Sequence, residues 1–116
     1  MREIKFRAWD KTFKKMHKVD AIDWFEGWCY CDNEKMDEGR LELMQYTGLK
    51  DANGKEIYEG DIISWFDGEK RNVEIIWKYG SWQISDNDED TMSLFHYEEY
   101  VHEVIGNIYE NPELIK

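Results

Sequence analysis

The run Leu41–Phe66, LELMQYTGLKDANGKEIYEGDIISWF, decides how this chain is read. From Arg40 to Tyr46 the residues alternate, Leu41, Leu43 and Gln45 against Glu42, Met44 and Tyr46, which is the period of a strand. Thr47-Gly48 is expected to end that strand. Asp51-Ala52-Asn53-Gly54 is a tight-turn signature, because Asn and Gly tolerate the positive φ that such turns require. Ile57-Tyr58 is a short apolar step. Glu59-Gly60-Asp61 turns again before the β-rich run Ile62–Phe66, where Gly60 allows a sharp entry.

Working outward, period two continues on both sides. Toward the N-terminus, Glu3–Trp9 reads as a strand, Asp10–Lys14 as a polar turn, and Lys15–Val19 as the returning arm of a hairpin. Toward the C-terminus, Asp67-Gly68 starts a loop, Val73–Trp77 and Ser81–Ser85 are strands around the Tyr79-Gly80 turn, and Asp86–Asp90 is an acidic loop. Met92–Val101 reads as a strand or a helical turn and Glu103–Tyr109 as a last strand. Asn111-Pro112 then closes the domain, with Glu113–Lys116 a tail or final helical turn. Residues 20–39 stay open. Ala21, Ile22, Trp24, Phe25 and Trp28 have near-helical spacing, Trp28 and Tyr30 favour strand, and Asp32–Gly39 reads as a polar loop.

The fold class expected is therefore mostly β with minor α, an N-terminal hairpin plus a variable insertion, and an SH3-like small barrel or roll in the second half. Residues 1–59 would form the N-terminal β-rich region, with the aromatic insertion at about 20–39, and residues 60–116 the SH3-like region. The two would make one compact unit. A length of 116 residues is near that of a single domain, and 16% aromatic content, with six Trp, argues for a folded core. Trp65, Trp77 and Trp82 are assigned to that core.

Charge weighs against one class of function. The net charge is −11, and phosphate neutralisation needs Lys and Arg, so general nucleic-acid binding is disfavoured. The distribution is uneven. Residues 1–18 carry seven basic against two acidic residues, a net of +5, which leaves −16 on residues 19–116. This basic arm is expected to meet the acidic remainder within one subunit or across two.

The search for chemistry ends without a catalytic set. Ser64, Ser81, Ser85 and Ser93 lack a nucleophile elbow. His102-Glu103 begins an H-E-x-x-H helix motif, but Gly106 occupies its fifth position. Cys29 and Cys31 are expected to point to opposite faces of a strand and to stay reduced. With His17 they make a poor zinc set, since their spacing is too short and a fourth ligand is missing. Asp86–Asp90 copies the start of a calcium loop, yet Thr91 stands where Gly is needed and Tyr97 where the bidentate Glu belongs. No metal, cofactor or catalytic residue is assigned. Trp24, Phe25 and Trp28 sit in a segment too short to own a core and are the candidate interaction surface, docking on the main domain or another subunit. The start has no apolar signal core and no apolar run reaches membrane length, so a cytoplasmic location is expected.

Taken in order, Arg7–Asp10 (RAWD), Leu43–Asp51 (LMQYTGLKD), Asn53–Ile63 (NGKEIYEGDII), Val73–Trp77, Gly80–Trp82 and Val104–Leu114 (VIGNIYENPEL) make the chain resemble the YopX family of phage and prophage proteins. The resemblance covers almost the whole chain and is weakest at 20–39. It implies a phage-derived, cytoplasmic protein with a β-rich, SH3-like second half, and it implies no reaction. Three functions are then in view. The first is a non-enzymatic interaction or assembly module whose partner is itself or a host or phage protein. The others are an acidic decoy of a host nucleic-acid-binding protein and a nucleic-acid-binding SH3-like domain.

Overall fold

Alternating side chains build antiparallel sheets throughout. The computed structural model describes residues 3–66, 70–85, 91–93 and 101–115. The Asp67-Gly68 loop, the acidic loop 86–90, and residues 94–100 with His96 and Tyr97 lie outside these, as does the side chain of Trp65. Eleven strands are present among the described residues: β1 Phe6–Asp10, β2 Lys15–Asp23, β3 Trp28–Cys31, β4 Glu34–Asp37, β5 Leu41–Lys50, β6 Glu56–Tyr58, β7 Asp61–Phe66, β8 Lys70–Lys78, β9 Ser81–Ser85, β10 Thr91–Ser93 and β11 Val101–Asn107. Short 3-10 turns at Glu38–Arg40 and Pro112–Ile115 are the helical elements among the described residues. The protein is mostly β, as its sequence pattern indicates.

The strands form two sheets, ordered β4-β3-β2-β1-β5-β6 and β10-β9-β8-β7-β11. By contacts the chain divides into two compact units, Met1–Tyr46 and Thr47–Lys116, so residues 47–59 fall with the second.

In the first unit the core is Ala8, Cys29, Cys31, Met36 and Leu41, with Val19, Ile22 and Leu43 packed against it. Register explains the grouping. Ala8 lies opposite Leu43 on one side and His17 on the other, Val19 opposite Cys31, and Ile22 and Met36 flank Cys29. The pairing slips between Val19 and Ala21, a β-bulge. One extra residue there rotates Ile22 rather than Ala21 onto the core face. The near-helical spacing of Ala21, Ile22, Trp24, Phe25 and Trp28 comes from a strand end, a hairpin turn and a strand start, with Trp24 and Phe25 in the turn between β2 and β3. The polar stretch after Cys31 is likewise not a loop. Asp32 and Asn33 both take positive φ (53° and 67°), the two-residue turn that suits hairpin twist, and β4 follows directly.

Two further expectations are corrected. Cys29 and Cys31 share a face, because residues two apart on a strand point the same way; both are buried and neither is in a disulfide. Burial first, then the neighbouring Cys29, pushes the Cys31 thiol up to about 11. Thr47-Gly48 does not end β5. The strand continues to Lys50, Thr47 Oγ1 donating to the Ile57 carbonyl at 2.8 Å and accepting from Leu49 N–H at 3.1 Å.

In the second unit Ile57, Ile63, Val73, Ile75, Trp82 and Ile84 form the core, joined by Leu49 and Val104. Ile63 faces Val73 and Val104 across neighbouring strands, and Ile75 faces Ile84. Trp82 is core as expected. Trp77 is not: it lies 53% exposed at the end of β8, meeting Trp82 edge to face at 4.8 Å. Gly60 takes φ 84°, and its N–H donates to the Ile75 carbonyl while its own carbonyl accepts from Ile108 N–H.

The β11 terminus shows why its motif reads as it does. Asn107 Oδ1 accepts from Tyr109 and Glu110 N–H, and Asn111 Oδ1 accepts from Asn107 N–H at 3.3 Å. A Cβ on Gly106 would fall on Asn111, with Cγ 2.8 Å away. Gly106→Ala is therefore expected to destabilise the chain by about 1–3 kcal/mol. Urea titration checks this, and adding Asn111→Gly should recover part of the loss; a neutral Gly106→Ala would disprove the close approach.

Candidate interaction surface

The first unit carries two aromatic hairpin tips, one at each end of β2. The β2–β3 turn is held by Asp23. Its Oδ1 accepts from Phe25 and Glu26 N–H at 3.1 and 2.9 Å, its carbonyl accepts from Gly27 N–H, and Gly27 takes φ 79°. Asp supplies such a turn because a short carboxylate reaches back to the next backbone N–H groups. The turn projects Phe25, 94% exposed, and Trp24, 68% exposed. Trp24 meets the Phe6 ring edge-on at 6.1 Å. Of the three aromatics singled out in the sequence, the structure brings Trp24 and Phe25 together at this tip. Trp28 starts β3, half-buried, with Lys35 Nζ 4.4 Å from its ring.

At the other end of β2, the turn Lys11–Lys14 presents Phe13, 69% exposed. Its organiser is Asp10, which has no exposed surface. Asp10 Oδ1 accepts from Thr12 and Phe13 N–H and from Arg40 Nε–H, the last at 3.0 Å; Oδ2 accepts from Arg40 Nη2–H at 2.6 Å. This is a bidentate guanidinium–carboxylate pair. His17 Nε2 lies 3.1 Å from Asp10 Oδ2, and its Nδ1 lies 3.3 Å from Asp32 Oδ2. The Arg40 guanidinium above all, helped by Phe13 N–H, His17 and Thr12 N–H, holds the Asp10 carboxyl well below the usual carboxylate range despite burial. Arg40 also lies over the Phe13 ring at 4.7 Å.

Sequence reading passed over Phe13 and Asp10 as parts of a polar turn. The available signals were an aromatic residue among Lys11, Lys14 and Lys15, and an Asp at the first position of a hairpin turn.

Chemically these groups position a loop. Both His17 ring nitrogens lie within hydrogen-bond distance of a carboxylate, which ties His17 into this network. Among the described residues, no group of three or more His, Cys, Asp and Glu is arranged to hold a metal ion. Nor is any helix long and apolar enough to cross a membrane.

The second unit has its own organising carboxylate. Asp51 Oδ1 accepts from Asn53 and Lys55 N–H, and Oδ2 accepts from Val104 N–H at 2.9 Å. Burial works to raise its pKa, but the N–H groups of Val104, Lys55 and Asn53 and the nearby His102 together hold it below its ordinary value. At the β8–β9 turn, Tyr79 and Gly80 both take positive φ, and Tyr79 is 79% exposed.

A mostly β chain with aromatic hairpin tips and a glycine-dependent terminal motif is the class of protein this structure defines. The chain belongs to the YopX family, whose pattern (YopX protein) it matches over residues 5–116. It is similar in structure to protein EF1440 from Enterococcus faecalis, with 28% identity, a TM-score of 0.76 and full coverage of both chains. It is also similar in fold to protein yopX from Bacillus subtilis, with 22% identity and a TM-score of 0.67, covering 100% of this chain and 98% of that one. No curated protein matches the chain.

Proposed function

We propose that this YopX-family protein is a non-enzymatic interaction module of phage or prophage origin, acting in the cytoplasm of a bacterial host and binding protein through its β2–β3 hairpin tip. The observation that carries this reading is Phe25, 94% exposed beside an exposed Trp24 on a turn braced by Asp23. Leaving two large aromatic side chains in water forgoes the burial each would gain in a core. Rigid aromatic anchors of this kind supply much of the energy of protein interfaces. The phage origin and the cytoplasmic setting follow the family resemblance, and the non-enzymatic reading is supported by Asp10 and Asp23, whose carboxylates are spent on holding loops.

The test is a photo-crosslinking residue placed at position 25 in cells carrying the protein, with the same residue at Lys35 as control. A discrete protein adduct from position 25 and none from position 35 is expected. No adduct from position 25 would disprove the reading.

A further inference from the structure

We infer that the protein assembles with copies of itself head to tail, the Trp24–Phe25 tip of one copy seating against the Phe13 tip of the next. This rests on the reading above that the β2–β3 tip is an interaction surface, and it names the occupant. The two tips are separated by the length of β2, Lys15–Asp23, roughly 25 Å at strand rise. They are matched in chemistry and opposite in sign.

Around Trp24 and Phe25 stand Asp20, Asp23 and Glu26, all exposed, and no Lys or Arg occurs from Val19 to Cys31. Across the sheet, Asp37 faces Trp28 and Lys35 covers the Trp28 ring. Around Phe13 stand Lys11, Lys14 and Lys15, all exposed. At that end Asp10 is held by Arg40 and Glu42 pairs with Lys11 at 3.3 Å, while Asp32 Oδ2 lies 3.3 Å from His17 Nδ1 and Glu34 is exposed.

Each tip therefore offers an aromatic surface whose turn residues carry charge of one sign, Asp20, Asp23 and Glu26 at one and Lys11, Lys14 and Lys15 at the other. Two acidic tips or two basic tips repel, whereas an acidic tip and a basic tip attract. Pairing of unlike tips is heterologous, so each added copy leaves one free tip of each kind, giving an open chain or a closed ring. Two aromatic side chains on one side and one on the other make a small contact. Association should accordingly grow with protein concentration and weaken with salt.

Sedimentation velocity across a concentration series, at low and high salt, tests this with two variants. One carries Trp24→Ser and Phe25→Ser, the other Phe13→Ser and Lys15→Ser. These side chains are exposed, and circular dichroism confirms that each variant keeps its fold. The wild type should form a ladder of oligomers that shrinks in high salt. Each variant alone should stay monomeric. Their mixture should form a 1:1 complex and nothing larger, because one good tip remains on each chain. A misfolded variant could not complement in this way. A monomeric wild type, a variant that still forms the ladder, or a mixture without a complex would each overturn the inference. A monomeric wild type that still gives an adduct from position 25 to a different protein removes self-assembly alone. Loss of that adduct as well removes the interaction reading with it.

Discussion

Replacing Asp10 by alanine is expected to lower stability by about 3 kcal/mol, seen as a reduced urea midpoint and faster amide exchange in β1 and β2. Its carboxylate accepts from Thr12, Phe13 and both Arg40 donors and faces His17 Nε2. Alanine leaves each of these groups without its partner in a site where Asp10 itself is fully buried. Removing one member of a buried charged pair costs more than the pair contributes, because the remaining charge stays poorly solvated. Partial exposure of Arg40 lets water compensate in part, which keeps the loss near the low end of that range. Asn at position 10 preserves the shape but points its amide NH2 either at Arg40 Nη2 or at the Thr12 and Phe13 N–H groups, which only donate, so Asp10→Asn should recover little. Lys11→Ala, which removes a pair about half exposed on both sides, should change stability by less than about 0.5 kcal/mol. A loss at Asp10→Ala no larger than that at Lys11→Ala would show that the network is not a keystone of the first unit.

The second large effect is expected at Asp51. Asp51→Ala should lower stability by about 2–3 kcal/mol, because one carboxylate closes the Asp51–Lys55 turn and also holds Val104 N–H, 53 positions along the chain. Amide exchange separates the two parts. Exchange at Val104 should accelerate strongly in Asp51→Ala and stay at its wild-type rate in Asn53→Ala. Equal Val104 exchange in wild type and Asp51→Ala would disprove the long-range tie.

Acid should reveal both carboxylates together. Each has a folded pKa below its unfolded value. Their contribution is therefore fully present above the ordinary Asp value of about 3.9 and is lost as pH falls through the folded values. The urea midpoint attributable to these two groups should be flat from about pH 5 to 8 and should fall below about pH 4. Asp10→Ala and Asp51→Ala should each flatten that acid limb.

Local signals were legible in proportion to how locally they act. The turn at Asp51–Gly54 could be read because Asn53 and Gly54 declare their backbone preference within four residues, and Gly60 does the same. The alternation in Arg40–Tyr46 revealed β5 because a half-buried strand imposes its period on its own side chains. Residues 20–39 defeated that logic. Trp24 and Phe25 lie in the β2–β3 turn, so apolar residues of two strands and the turn between them add up to the spacing of a helix. Apolar character assigns both indoles of the Trp77–Trp82 cross-strand pair to the core, yet Trp82 is buried and Trp77 lies half in water.

The interaction surface was half legible. Trp24 and Phe25 drew attention as aromatics in a short segment, but only the Asp23 turn shows that they face outward together and that Trp28 does not. Phe13 went unremarked because its neighbours are lysines, and the geometry that braces it depends on Arg40, thirty positions away. From sequence alone came the β class, the turn positions, the uneven charge and the family likeness, all of which depend on residues near one another or on simple sums. Tertiary structure decided which carboxylates became buried hubs, which aromatics stayed in water, and that opposite charges lie at opposite ends of β2. Those outcomes depend on strand register, and register is a property of residues that meet only after the chain has folded.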